Sequence, residues 1–216
     1  MASICAALGL VALGKPVYAA TAWPDTFRDR LEAWALIETL NATLLASNSA
    51  TKTLEAWCGA HHMAADAVLH ARLRRDVQKP ITPEQRARLG VGPDEPVVYR
   101  RVDLACGDHV LSQADNWYVP SRLQPAMEKA LETSDIPFGR AIQNLRPRRQ
   151  TIGVDVLWHP LPNGWELAPP ADNNGALTIP PLLFEHHAIV YSADGKPISE
   201  VQEHYTSAIL DFRRAE

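Results

Sequence analysis

At 216 residues, with 46% apolar and a formal net charge of -4, the chain is long enough to bury one substantial core. It carries no basic excess of the kind that nucleic acid demands, so a nucleic-acid partner is not expected. These bounds point to one globular domain over residues 21–216.

The first twenty residues differ in composition from the rest. Residues 4–14 are an uncharged run of Ala, Leu, Val, Gly, Ile and Cys5, and the small residues Val17 and Ala19 suit the -3 and -1 positions of a cut after Ala19 or Ala20. This reads as a secretory leader over residues 1–20, too short to span a bilayer and leaving no stable membrane insertion once removed. No Lys or Arg precedes the run, so a buried segment or a retained anchor stays open. A cytoplasmic location therefore stands beside the periplasmic or secreted one. After export, Cys58 and Cys106 would be the remaining thiols, either joined in a disulfide or buried as two small hydrophobes.

Beyond Asp25 or Thr26 as a cap, Phe27, Leu31, Trp34, Ile37, Leu40 and Leu44 recur at spacings of three and four, which predicts an amphipathic helix. Ser47-Asn48-Ser49 breaks it, and residues 51–57 predict a second helix ended by Gly59. Residues 62–77 alternate as a long strand would, although their alanine content also permits a helix. Thr82-Pro83-Glu84 opens a short helix to Leu89. Residues 97–106 and the arm ending at Pro120 form a hairpin about Gly107-Asp108, whose period of two sends Arg100 and Arg101 to opposite faces. Residues 125–131 are a further short helix. Residues 149–158, 182–192 and 198–210 predict strands, the first two joined by an irregular Pro-, Gly- and Asn-rich loop and the last entered through Asp194-Gly195. Helices first and then hairpin-linked strands argue for an α+β fold, an antiparallel sheet flanked by helices.

No Ser-His-Asp spacing, nucleophile elbow, Gly-rich phosphate loop or zinc pattern is present. His61-His62 and His186-His187 are adjacent pairs, and neighbours on a strand face opposite ways, so a metal would need one histidine from each pair. No metal or organic cofactor is expected.

Several short pieces carry a resemblance through their order: Ser49-Ala50-Thr51-Lys52 after the first helix, Arg101 on the arm leading to Cys106, Val119-Pro120, Pro137-Phe138-Gly139-Arg140, and Gly195-Lys196-Pro197 followed by Glu203. Over residues 33–210 the chain resembles chorismate pyruvate-lyase, which removes pyruvate from chorismate to leave 4-hydroxybenzoate, and more distantly the effector domain of winged-helix repressors sharing that fold. The resemblance implies an enclosed pocket for a small aromatic or cyclohexadiene carboxylate. In it Arg101 would pair with the ligand carboxylate, and Glu203 would serve the ether or phenol oxygen as a general acid. A one-residue shift after Pro197 is needed for Glu203; without it the position falls on Gln202, and Glu200 is a further alternative. Loop amides of Ala50 and Phe138 would complete the contacts. Asn116 stands where the pattern has a basic residue, for which Arg140, Arg148 or Arg149 would compensate. An exported, non-catalytic carrier or sensor of an aromatic acid is the alternative to the lyase.

Overall fold

The computed structural model describes residues 22–212. The expected leader over residues 1–20 lies outside the described residues. The chain adopts the α+β class expected of it, with six strands in one antiparallel sheet and helices packed against it.

Helix α1 (Phe27–Ala46) begins where the Thr26 side chain accepts from the Asp29 N–H. Its apolar stripe buries Ile37, Leu40 and Leu44 completely, each worth about 1.5–3 kcal/mol of transfer free energy. Helix α2 (Ala50–Ala60) starts on Ser49 and runs past Gly59, which does not end it; the cap is His61. Strand β1 (Leu69–Leu73) is much shorter than the alternation over residues 62–77 predicted. Residues 61–68 instead turn, with His62 at a φ of 51°, to bring the chain from α2 to the sheet edge.

Helix α3 (Pro83–Leu89) carries the full capping box between Thr82 and Gln85 and ends on left-handed Gly90. The hairpin follows as β2 (Val98–Cys106) and β3 (His109–Tyr118), then α4 (Pro125–Thr133) and the single turn α5 (Phe138–Ala141). The sheet is completed by β4 (Arg148–Val156), β5 (Leu182–Tyr191) and β6 (Pro197–Thr206). The last strand stops at Thr206, where the Thr206 hydroxyl accepts from the Ala208 N–H and turns residues 207–210 into 3-10 conformation. The strand order is β1-β2-β3-β6-β5-β4, so the three strands after the hairpin extend the sheet beyond β3.

Helices α1 and α2 cover one face. Leu54 and Trp57 of α2 share a core with Leu104, Ala114, Val201 and Tyr205 of the sheet, and the Trp57 indole N–H donates to the Ile209 carbonyl at 2.9 Å. Cys58 of α2 and Cys106 of β2 are joined in a disulfide with a Cα–Cα distance of 6.5 Å. It clamps α2 to the end of the strand that carries Arg100. A loop closed by 48 residues of separation makes the crosslink worth about 2–4 kcal/mol. Urea unfolding of the wild type should therefore show a loss of that size in dithiothreitol, and a Cys58→Ser, Cys106→Ser double variant should show no further loss.

Candidate functional site

Register across the central strands decides which side chains can meet. Ala114 of β3 pairs with Val102 on one side and Glu203 on the other, whereas Asp115 pairs with Arg101 and Gln202. Period two therefore puts Arg100, Val102, Ala114 and Glu203 on the helix-covered face, and Arg101, Asp115 and Gln202 on the opposite one.

On the covered face lies a cavity of about 400 Å³ between the sheet, the first turn of α2 and α5. Its wall on the sheet side is apolar, built from Val102, Ala114, Val201 and Val190, and Phe138 and Ile142 face it from the other side. Arg100, Asn116, Lys52, Arg146, Arg149 and Glu203 are among its polar lining residues.

Arg100 is 6% exposed. Its Nε donates to the Leu131 carbonyl at 3.1 Å and Nη2 to the Ile136 carbonyl at 3.0 Å, while Nη1 is buried with no partner among the described residues. Burial pulls its pKa down to about 10, which leaves it charged at neutral pH. Two carbonyls hold the guanidinium in place, and neither of them neutralises it.

The N-terminus of α2 opens on the same cavity. Ser49 Oγ accepts from the Lys52 N–H and the Ser49 carbonyl from Thr53, so Ala50 and Thr51 keep first-turn N–H groups with no intrahelical acceptor. Gly139 packs on this turn: a Cβ there would stand 3.1 Å from Thr51 Oγ1.

At the far end Glu203 Oε2 accepts from Arg149 Nη2 at 2.6 Å and from the Tyr205 hydroxyl at 3.2 Å. Burial works against the Arg149 charge, but the neighbouring Glu203 carboxylate outweighs it and raises the pKa. Behind the pair, His186 Nε2 lies 2.8 Å from Asn41 Oδ1, and its Nδ1 lies 3.4 Å from Arg149 Nη2. These partners assign a neutral ring that donates to Asn41 and accepts from Arg149. Burial, helped by the Arg149 charge, brings the His186 pKa to about 4.

The structure brings Glu203, Asn116, Ala50 and Phe138 to the cavity and leaves Arg101 and Arg140 out of it. Arg101 is a correction: it donates from Nη1 to Asp115 Oδ2 at 2.8 Å and from Nη2 to Gln113 at 3.0 Å, on the face away from Glu203. The two cannot converge, because the register that carries Glu203 into the cavity carries Arg100 with it. Arg140 is likewise corrected, since its guanidinium is tied to Glu55 outside the cavity lining. Ala50 and Phe138 lie not in loops but at the first residues of α2 and α5. Asn116 Oδ1 accepts from Ser199 at 2.8 Å, which leaves its amide nitrogen as the donor. Gln202 and Glu200 share the outer face, where Glu200 holds Arg88 and His187. Arg100, Arg146 and Lys52 were not singled out from sequence as site residues. For Arg100 the signal was present, since the hairpin period names it as the alternative to Arg101.

No family model matches the chain. The protein named "Uncharacterized protein y4mC" from Sinorhizobium fredii (strain NBRC 101917 / NGR234) is 48% identical over 193 residues, covering 88% of this chain and 81% of that one. Among solved structures, PhnF of Mycobacterium smegmatis overlaps 79% of this chain and 68% of its own at 15% identity and a TM-score of 0.49. The effector domain of the same protein overlaps 74% and 89% at 17% identity and a TM-score of 0.48. YydK of Bacillus subtilis, described as a possible transcriptional regulator, overlaps 68% of this chain at 19% identity and a TM-score of 0.40, and the chain spans 62% of its length. At these values the likeness is one of partial chain path.

Proposed function

Because the chain belongs to one family with the y4mC protein of Sinorhizobium fredii, whose name states no activity, we propose from the pocket's own chemistry that it binds a small aromatic carboxylate. The observation that carries this is Arg100, a buried guanidinium that belongs to the cavity lining, whose two used donors go to carbonyls and whose Nη1 has no partner among the described residues. An uncompensated buried cation is costly until an anion joins it, and a carboxylate offers the planar acceptor that a guanidinium fits. The α2 first-turn amides favour the same charge, and the flat apolar wall of Val102, Ala114 and Val201 suits a ring.

A second reading, elimination of pyruvate from chorismate, is favoured by Glu203, a carboxylate on the last strand that lines the same cavity. There its protonated form would donate to the leaving oxygen, with Arg149 and Tyr205, which hydrogen-bond its Oε2, orienting the carboxyl. Export through the leader, with the disulfide formed in an oxidising compartment, would suit a carrier better than an enzyme acting on chorismate.

Calorimetric titration of the purified chain with 4-hydroxybenzoate, beside an absorbance assay for 4-hydroxybenzoate released from chorismate, separates these readings. Binding without turnover is the expected result. Turnover lost in Glu203→Gln would establish the lyase, and silence in both assays would remove the carboxylate reading altogether.

Gly139 offers a local check. In Gly139→Ala the new methyl must push the α2 first turn by a few tenths of an ångström, weakening ligand binding about 3- to 10-fold. Alanine is the better helix former, so the thermal midpoint should hold or rise. A parallel fall in both would mean that the turn is only structural.

A further inference from the structure

The two edges of the sheet, β1 and β4, differ in how they are finished. β1 is five residues long and carries exposed His70 and Arg72, and its Ala71 N–H donates to the Asp135 carbonyl at 2.6 Å, so part of that edge is already paired. β4 is nine residues long and holds no proline, and none of its backbone groups bonds outward from the sheet among the described residues. An edge of that length left open is a template for pairing with another chain.

Apolar side chains gather along the same edge. Of the five large hydrophobics that stand exposed among the described residues, Ile152, Val154 and Leu157 lie on β4 or on the residue after it. Exposed apolar residues scattered singly are ordinary, whereas a cluster along an open edge marks a contact surface.

A bulge decides how β4 can pair with a copy of itself. Arg148 and Gln150 lie opposite Tyr191 and Ile189 of β5, Gly153 and Asp155 lie opposite His187 and Glu185, and Ile152 is left over between them. The extra residue brings Arg148 and Asp155 onto the same outer face, although an odd separation in a regular strand would send them to opposite faces. Antiparallel pairing across a two-fold axis must match face with face. The longest register that does so sets Arg148 across from Asp155 of a second copy, and Asp155 across from that copy's Arg148. Gln150 then faces Gly153, Arg149 faces Val154, and the axis passes beside Thr151 and Ile152.

Both charges are available for this. Arg148 lies over the Tyr191 ring, 4.8 Å from its centroid, and reaches Gln150 at 3.5 Å, but neither Arg148 nor Asp155 makes an ion pair among the described residues. Both side chains are exposed.

We infer that β4 is a self-pairing edge, at which two copies of this chain join their sheets into one continuous sheet held by two Arg148–Asp155 pairs. The same strand carries Arg149, whose guanidinium holds Glu203 on the covered face, so pairing braces that wall of the cavity from its open side.

Sedimentation velocity of the full chain, run from about 1 to 200 µM because so narrow a contact belongs to the weak class, reads the balance of monomer and dimer. The wild type should move toward dimer across that range. Arg148→Glu places two like-charged pairs across the axis, and Asp155→Arg does the same, so each alone should self-associate about tenfold more weakly or worse. An equal mixture of the two variants restores both opposite-charge pairs and should associate about as tightly as wild type. Thermal midpoints should hold, since both positions are exposed. Should either variant fold poorly, Ile152→Lys, which sets two like charges beside the axis, should leave a monomer. A wild type that stays monomeric at every concentration, variants that pair as well as wild type, or a mixture no tighter than its components overturns the proposal.

Discussion

Arg100→Met should weaken 4-hydroxybenzoate binding by about 30-fold or more, about 2 kcal/mol, while the ligand-free protein keeps or gains stability. The two halves of this expectation have one cause. Without ligand the Arg100 guanidinium is desolvated and faces only the Leu131 and Ile136 carbonyls, so replacing it by an apolar side chain of similar length removes an uncompensated charge. With ligand present the same charge is the anchor. Binding sites commonly give up stability in this way, and a purely structural arginine would show the reverse, a fall in thermal midpoint with no specific effect on affinity. Arg101→Ala is the control one residue away. It lies outside the cavity, so affinity should stay within about twofold, whereas stability should fall through the loss of a donor to Asp115. Calorimetric titration and thermal melts on the three proteins decide the matter. Equal affinity loss in the Arg100 and Arg101 variants would deny Arg100 its role.

The contrast between these neighbours shows what the sequence could and could not disclose. Alternation along residues 97–106 was enough to say that one arginine faces inward and one outward. Choosing between them needed the register between β2, β3 and β6, because Glu203 reaches the cavity only in the phase that also selects Arg100. A resemblance that takes Arg101 on the hairpin arm and reaches Glu203 only through a shift after Pro197 mixes the two phases. In sheets a slip of one residue exchanges the faces, so small alignment choices carry large chemical consequences. The α1 stripe, the capped α3 and the hairpin turn were legible because local spacing and capping chemistry specify them. The Asn41–His186–Arg149 chain was not, since its first contact joins residues 145 positions apart. Arg146 was equally hidden, for nothing local marks an arginine before a proline as holding a left-handed turn at a cavity rim.

The two faces of the sheet divide the labour. The covered face is mostly apolar, with Arg100, Asn116, Arg149 and Glu203 set into it, while the opposite face carries a polar lattice. There the Glu200 carboxylate receives Arg88 Nε at 2.9 Å and Nη2 at 2.7 Å, which anchors α3 to β6. Burial alone would raise the Glu200 pKa, but hydrogen bonds from His187 and Arg88 outweigh it and bring it to about 2. This second layer keeps the strands in the phase that the cavity requires. It also makes the pocket's geometry depend on groups that never touch a ligand.

Asp115 is the centre of that layer and the site of the largest stability loss to be expected from a single isosteric change. Its side chain is fully buried on β3 and accepts from Lys79 Nζ at 2.6 Å, from Arg101 Nη1 at 2.8 Å and from the Tyr99 hydroxyl, with His204 Nε2 at 3.8 Å. Burial by itself would raise the Asp115 pKa, but His204 close by and hydrogen bonds from Lys79, Tyr99 and Arg101 together hold it well below the usual carboxylate range. Asp115→Asn keeps the shape and removes the charge, leaving Arg101 and Lys79 to face an amide. The cost should be about 3 kcal/mol, at the lower end for a broken buried pair because Lys79 is partly in water. The pH dependence follows from the sign of the shift. A carboxyl depressed in the folded state stabilises fully above its unfolded pKa of about 3.9, and the contribution fades as pH falls below that toward the folded value. His186 acts earlier in an acid titration. The unfolded histidine takes up its proton near pH 6.5 and the buried one only near 4, so stability declines across that window in wild type and Asp115→Asn alike. Urea midpoints measured from pH 7 to pH 2.5 should therefore run parallel for the two proteins between pH 7 and about 5, then converge below pH 4 as the wild type loses what Asp115 supplies. Curves that stay parallel to the lowest pH would show that the Asp115 carboxylate is not what holds the outer face together.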